Sequence, residues 1–123
     1  MALDRIRTGE RGERTAETFL VSKGLTPIEN NFRSRFGEVD LIMRDGEYIV
    51  FVEVRLRSSK AYGGGAASVD HRKQRRIVRT AGYFLSQRPE LAMSPCRFDV
   101  VALGTEPTGL EWIANAFEVE SWT

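Results

Sequence analysis

The sequence predicts an α/β fold with a mixed central sheet, its elements in the order α-β-β-β-α-β-β. Three observations carry this. Two strand-like runs flank Asp45-Gly46, a dipeptide that signals a β-hairpin. Two stretches repeat their apolar residues at helical spacing, one before the hairpin and one after it. Beyond the second helix, Arg97–Leu103 and Leu110–Ile113 read as further strands, and helices placed between strands make a layered α/β domain.

The elements follow in order. Thr8 to Lys23 reads as a helix, with Thr8 as its cap, Gly24 as its stop and Ala16 and Leu20 on the inward stripe, Phe19 beside them. Pro27 to Asn31 leads into the first strand. The glycine-rich stretch from Ser58 to Ala67 reads as a loop. Ser68 or Asp70 starts the second helix, whose stripe is Val69, Ile77, Ala81 and Phe84 and whose end falls near Arg88-Pro89. Thr105 to Gly109 is a turn, and the tail after Ile113 is helical or irregular. The length of 123 residues suits one domain, 1–123, ordered from about 8 to 117.

Composition excludes several function classes. Met1-Ala-Leu-Asp-Arg-Ile-Arg-Thr has no apolar core of a secretion signal, and no run approaches the ~20 apolar residues of a membrane span. No membrane partner and a cytoplasmic location are therefore expected. Cys96 is the only cysteine and His71 the only histidine, which excludes an internal disulfide, a cysteine zinc cage and multi-histidine metal sites. Any metal would need oxygen ligands. The net charge of +1 hides a segregation. Arg57 to Arg88 holds eight Lys/Arg against one acid, and Glu90 to the end holds six acids against Arg97. Such a division suits a surface facing a polyanion, with an acidic back.

The hairpin brings the chemistry together. A two-residue turn at Asp45-Gly46 would pair Arg44 with Glu47 and set Asp40 opposite Phe51. Alternate residues share a face, so Asp40, Glu53 and Arg55 would point the same way, and diagonal neighbours on one face lie about 7–8 Å apart. Two carboxylates beside a cation suit a hard divalent metal and a phosphate. One face (Val39, Leu41, Met43, Tyr48, Val50, Val52, Val54, Leu56) is free of charge and belongs to the core. The other has an apolar middle at Ile42, Ile49 and Phe51 and a charged end at Glu38, Asp40, Glu53, Arg55 and Arg57. A one-residue slip in the turn would send Asp40 and Glu53 to opposite faces.

Polar residues intrude on both helix stripes: Glu13 beside Ala16 and Leu20, and Lys73 between Val69 and Ile77. Buried and unpaired, either would be costly, so each must reach solvent or meet an opposite charge. The second helix also carries Arg72, Arg75, Arg76 and Arg79 at i, i+3, i+4 and i+7. Four guanidinium groups on one side repel one another, and a phosphate backbone would relieve that repulsion.

Asp40, a gap, and then Glu53-Val54-Arg55 resembles the PD-(D/E)xK nuclease signature. Gly12-Glu13, Asn31-Phe-Arg, Phe36-Gly-Glu-Val-Asp-Leu-Ile, Phe51-Val-Glu-Val-Arg, Ser68-Val-Asp, Lys73-Gln-Arg-Arg and Arg97-Phe-Asp-Val-Val, in that order, resemble the YraN-type family of uncharacterised bacterial proteins. That family is similar to Holliday-junction resolvases. The resemblance implies a restriction-endonuclease-like fold, Asp40 and Glu53 with Glu13 as ligands of Mg²⁺ or Mn²⁺, and a nucleic-acid substrate, DNA of structured or branched form. It allows a homodimer. Arg55 stands where those nucleases have a lysine; a guanidinium is not a general base but can stabilise charge developing on a phosphate. Lys73 would supply the missing ammonium. Arg57, Arg72, Arg75, Arg76 and Arg79 would hold the flanking backbone. A module of the same fold that binds nucleic acid without cutting it is the first alternative. An adaptor using Trp112, Phe117 and Trp122 is the second, against which stands ordinary packing of those aromatics.

Overall fold

The computed structural model describes residues 2–56, 69–104, 109–119 and 121–122. Arg57, the glycine-rich stretch 58–67 and residues 105–108 of the expected turn lie outside them. The order is α1 (Ala2–Ser22), β1 (Thr26–Ser34), β2 (Gly37–Asp45), β3 (Tyr48–Leu56), α2 (His71–Ser86), β4 (Cys96–Leu103) and β5 (Leu110–Ile113). This is the α-β-β-β-α-β-β order expected, with one 3₁₀ turn, Pro89–Leu91, added after α2. The five strands lie in sequence order. All neighbours are antiparallel except β3 and β4, which the α2 crossover makes parallel. Among the described residues no helix is long and apolar enough to cross a membrane.

Each helix covers one face. On α1, Ala16 and Leu20 are fully buried against Leu41, Met43, Val50, Val52 and Val101. On α2, Ile77, Ala81 and Phe84 pack with Ile42, Ile49, Phe51, Phe98 and Val100. Covered on both sides, the central strands carry unbroken apolar runs. Phe117 stacks on Phe98 with centroids 5.2 Å apart, and Trp122 lies 6.0 Å from the same ring. Trp112 meets Phe19 edge-on at 6.1 Å. The aromatics of the C-terminal region thus pack on the sheet.

Three local expectations change. Thr8 is not the cap of α1, which already runs from Ala2; no proline or glycine separates Ala2 from Thr8 to stop it. Its C-terminal end is as expected: Gly24 has φ +98°, and the Gly24 and Leu25 N–H groups donate to the carbonyls of Val21 and Leu20, a Schellman ending. In the hairpin, Asp45 pairs with Tyr48 and Ile42, not Asp40, with Phe51. The turn residues are Gly46 and Glu47, with positive φ (+61°) at Gly46 alone. A single glycine at the first central position fits a type II′ turn, whereas Asp45-Gly46 as central pair would have been type I′. A slip of two residues preserves the face of each residue in the paired stretch from Leu41 to Val52, and the contact of Asp40 with Glu53 survives where a slip of one would have destroyed it. Val39, expected beside Leu41, lies in the α2-side cluster with Ile42. The β2–β3 register ends at Leu41 and Val52, so strict alternation lapses here.

Candidate functional site

The site forms where β2 and β3 part. Past Leu41–Val52 the ladder stops, and the Val54 N–H donates instead to Asp40 Oδ2 at 2.8 Å. One carboxylate oxygen of Asp40 thus takes the place of a strand carbonyl, which holds its side chain against β3. Glu53 follows Phe51 by two residues, so it faces α2. Asp40 is 8% exposed and Glu53 9%, and their carboxyl groups lie within hydrogen-bonding reach of each other. Lys73, on the first turn of α2, brings its Nζ to 3.3 Å from Glu53 Oε2. Its helix is set by Asp70, whose side chain accepts the Lys73 N–H at 2.9 Å.

Burial, the shared hydrogen bond with Asp40 and the charge of Asp40, in that order, push the Glu53 carboxyl up to about 8; the Lys73 ammonium pulls it back. Two carboxyl groups in contact, one of them holding its proton up to about pH 8, therefore sit beside one ammonium in a nearly dry place. A cation added there would relieve both the repulsion and the desolvation.

Gly37, Glu38, Glu53, Lys73, Arg76 and Ile77 line a cleft of about 200 Å³. Its floor is β3, one wall the start of β2 and the other α2. Gly37 has φ +147°, and a Cβ there would stand 3.5 Å from Arg76 Cβ and from Thr80 Oγ1. Glycine lets the β2 backbone approach α2 this closely.

The sequence-predicted residues fall into three groups. Asp40, Glu53 and Lys73 come together. Arg55 is on β3 two residues beyond Glu53, opposite Ala102 of β4, and is partly exposed. Glu13 is on α1, which covers the other face. The neighbouring Gly12 packs near Leu56 and Leu103, at the end of β3 where Arg55 lies. No set of three or more His, Cys, Asp or Glu side chains able to hold a metal converges among the described residues. Arg72, Arg75, Arg76 and Arg79 are all exposed, and they divide: Arg76 lines the acidic cleft, while Arg75 and Arg79 border a groove against Phe117 and Glu118. The Gly37–Glu38 wall is the part sequence reading missed as a wall, although Glu38 stood at the charged end of its face.

Asp99, the remaining buried carboxylate of the described residues, is on the far side of the sheet with Val101. It accepts from Arg97 Nε and Nη2 at 2.9 and 3.0 Å, from Trp112 Nε1 at 2.9 Å and from the Asn115 N–H at 2.9 Å. Two of these donors come from Arg97 on the same strand, one from Trp112 of β5 and one from Asn115 just beyond it.

The donor set fits a hard cation. Mg²⁺ and Mn²⁺ take oxygen ligands, and Mg²⁺ is commonly held by one or two carboxylates, the rest of its shell being water and substrate phosphate. Asp40 and Glu53 supply two.

Comparison with known proteins places the chain. A UPF0102 protein of Saccharophagus degradans is 51% identical over 110 residues, covering 89% of this chain and 92% of that protein. One of Nitrosospira multiformis is 50% identical over 113 residues, 90% and 92% of the two chains, and one of Xanthomonas campestris is 48% identical over 120 residues, 98% of each. Residues 12–103 match the family model described as uncharacterised protein family UPF0102; this stretch contains Glu13, Asp40, Glu53, Arg55 and Lys73 and ends before β5. The chain belongs to the uncharacterised protein family UPF0102, as the ordered segments of its sequence indicate.

Proposed function

We propose that this protein binds nucleic acid across the cleft and hydrolyses a phosphodiester there, with structured or branched DNA as the substrate class. The observation that carries this reading is the pairing of Asp40 and Glu53, two nearly buried carboxyl groups in contact, beside a cleft that the exposed Arg76 of α2 lines.

Asp40 and Glu53 would hold Mg²⁺ or Mn²⁺, whose chemistry in such a site is to acidify water and polarise a phosphoryl oxygen. Asp40 is oriented by the Val54 N–H, so it is a pre-set ligand. Lys73 rests against the Glu53 carboxyl and, once a cation takes its place, can reach outward along the cleft toward a phosphate. Arg55 adds fixed positive charge beside the phosphorus. Arg72, Arg75, Arg76 and Arg79 hold the flanking backbone, reading shape rather than base sequence.

The experiment is incubation of the purified chain with flapped and four-way-junction DNA in Mn²⁺, alongside metal titration by calorimetry. Nicking is expected in the wild type, with loss of at least about a hundredfold in Asp40→Asn and Glu53→Gln, in line with the size of electrostatic and metal contributions. Metal binding should vanish in the same two variants. Activity surviving in both would identify a contaminant.

The arginine in the lysine position supports a second reading, a module that binds without cutting. Binding that persists in EDTA, falls steeply with salt and never yields product would favour it.

A further inference from the structure

We propose that the turn joining β1 to β2, through Arg35 and Phe36, is a second nucleic-acid contact on the wall of the cleft opposite α2, so that the strand crosses the cleft instead of running along α2 alone. This rests on the nucleic-acid reading above and adds a surface to it.

Gly37 and Glu38 form the β2 wall, and Arg35 and Phe36 are the residues immediately before them. The turn is fixed rather than loose. The Phe36 N–H donates to Ser34 Oγ at 3.1 Å, and Ser34 Oγ meets Thr80 Oγ1 of α2 at 3.5 Å. The close approach of Gly37 to Arg76 and Thr80 holds the turn to α2 beside the arginine that lines the opposite wall. The turn that carries Arg35 is therefore tied to α2 and is not an independent loop.

The charge on this wall is directed. Arg33 is spent on Glu38, a surface pair at 3.2 Å with side chains 76% and 52% exposed. Arg35 is exposed, and its guanidinium lies over the Phe36 ring at 5.0 Å from the centroid. A guanidinium resting on a ring face is partly ordered, and it keeps its planar fork of donors for a phosphate. With Arg76 on one wall and Arg35 on the other, successive phosphates of a strand whose scissile bond lies over Asp40 and Glu53 would meet cations on both sides. An acidic protein segment would find the same cations, but the paired carboxylates on the floor would repel it; a phosphodiester bridged by a divalent cation is accommodated.

The test measures affinity for fluorescein-labelled flapped DNA by anisotropy across a salt series at fixed Ca²⁺, a hard cation that takes the same oxygen ligands, with intact substrate verified on a gel. Arg35→Ala is expected to weaken binding roughly three- to tenfold and to lower the salt slope by about one phosphate contact. Arg35→Lys should restore the slope but not all of the affinity. Phe36→Leu, which keeps apolar bulk, should weaken binding less than Arg35→Ala. Wild-type affinity and slope in Arg35→Ala, with binding lost in the Arg75→Ala/Arg76→Ala double variant, would overturn the turn contact and leave the cleft reading standing. Absence of any DNA binding by the wild type would instead overturn the reading beneath it.

Discussion

Glu53→Gln is expected to abolish most of the pH dependence of this protein's stability. In the folded chain the Glu53 carboxyl is pushed up to about 8 from an ordinary value of 4.5, by burial first and then by Asp40. The folded state thus holds that proton more tightly than the unfolded state does. Its favourable contribution is fully present below about pH 4.5 and is lost as pH rises through about 8. The wild type should lose stability between pH 5 and pH 9, by at most on the order of 5 kcal/mol. The amide cannot ionise, so Glu53→Gln should be nearly flat across this interval and more stable than the wild type at pH 9, even though it gives up the Lys73 partner. Adding Mn²⁺ at pH 8 should raise the urea midpoint of the wild type and leave that of Glu53→Gln in place, because a ligand stabilises only the state that binds it. Parallel pH curves for the two proteins would mean that Glu53 ionises normally, and the paired-carboxylate site would fall with that result. The same pair thus links function to fragility: a carboxylate placed for a cation is a cost while no cation is there.

Asp99→Ala should unfold the protein more severely than any substitution in the cleft while leaving the cleft's chemistry alone. Asp99 is 1% exposed and satisfies four donors from Arg97, Trp112 and Asn115. Its removal leaves the Arg97 guanidinium with Asp45, 3.1 Å away at the end of β2, and strands the Trp112 and Asn115 N–H groups. Breaking a buried ion pair from one side costs about 3–5 kcal/mol, read as the change in unfolding free energy by urea titration. Asp99→Asn keeps the shape and some of the acceptors and should cost less. Mn²⁺ affinity of the folded protein should not change, since Asp99 and Glu53 face opposite sides of the sheet. A loss under about 1 kcal/mol, the worth of an exposed pair, would show that this network exchanges freely with water.

These two carboxylates show what could be read without coordinates. Arg97 and Asp99 are two apart on one strand and share a face, whereas Trp112 and Asn115, which complete the shell, come from beyond a turn and leave no local signal. Asp40 and Glu53 were legible as partners only through the hairpin. There the turn was assigned one residue too early, and the resulting slip of two residues was harmless because the period of a strand is also two. The Arg72–Arg79 row was plain in its spacing, yet its division between two grooves depends on what packs against each side of α2.

The sequence by itself determined the element order, the two helix stripes, the exclusion of cysteine and multi-histidine metal cages and the family to which the chain belongs. These are local or compositional properties: periodicity, turn residues and the absence of alternatives among cysteines and histidines. Only the tertiary structure decided that β2 pairs with β3 from Leu41 onward and stands apart from it before that residue, that Asp40 fills the vacated acceptor position at Val54, and that Lys73 descends from α2 onto Glu53. Those contacts join residues far apart in the chain, and their geometry follows from packing two helices against opposite faces of one sheet.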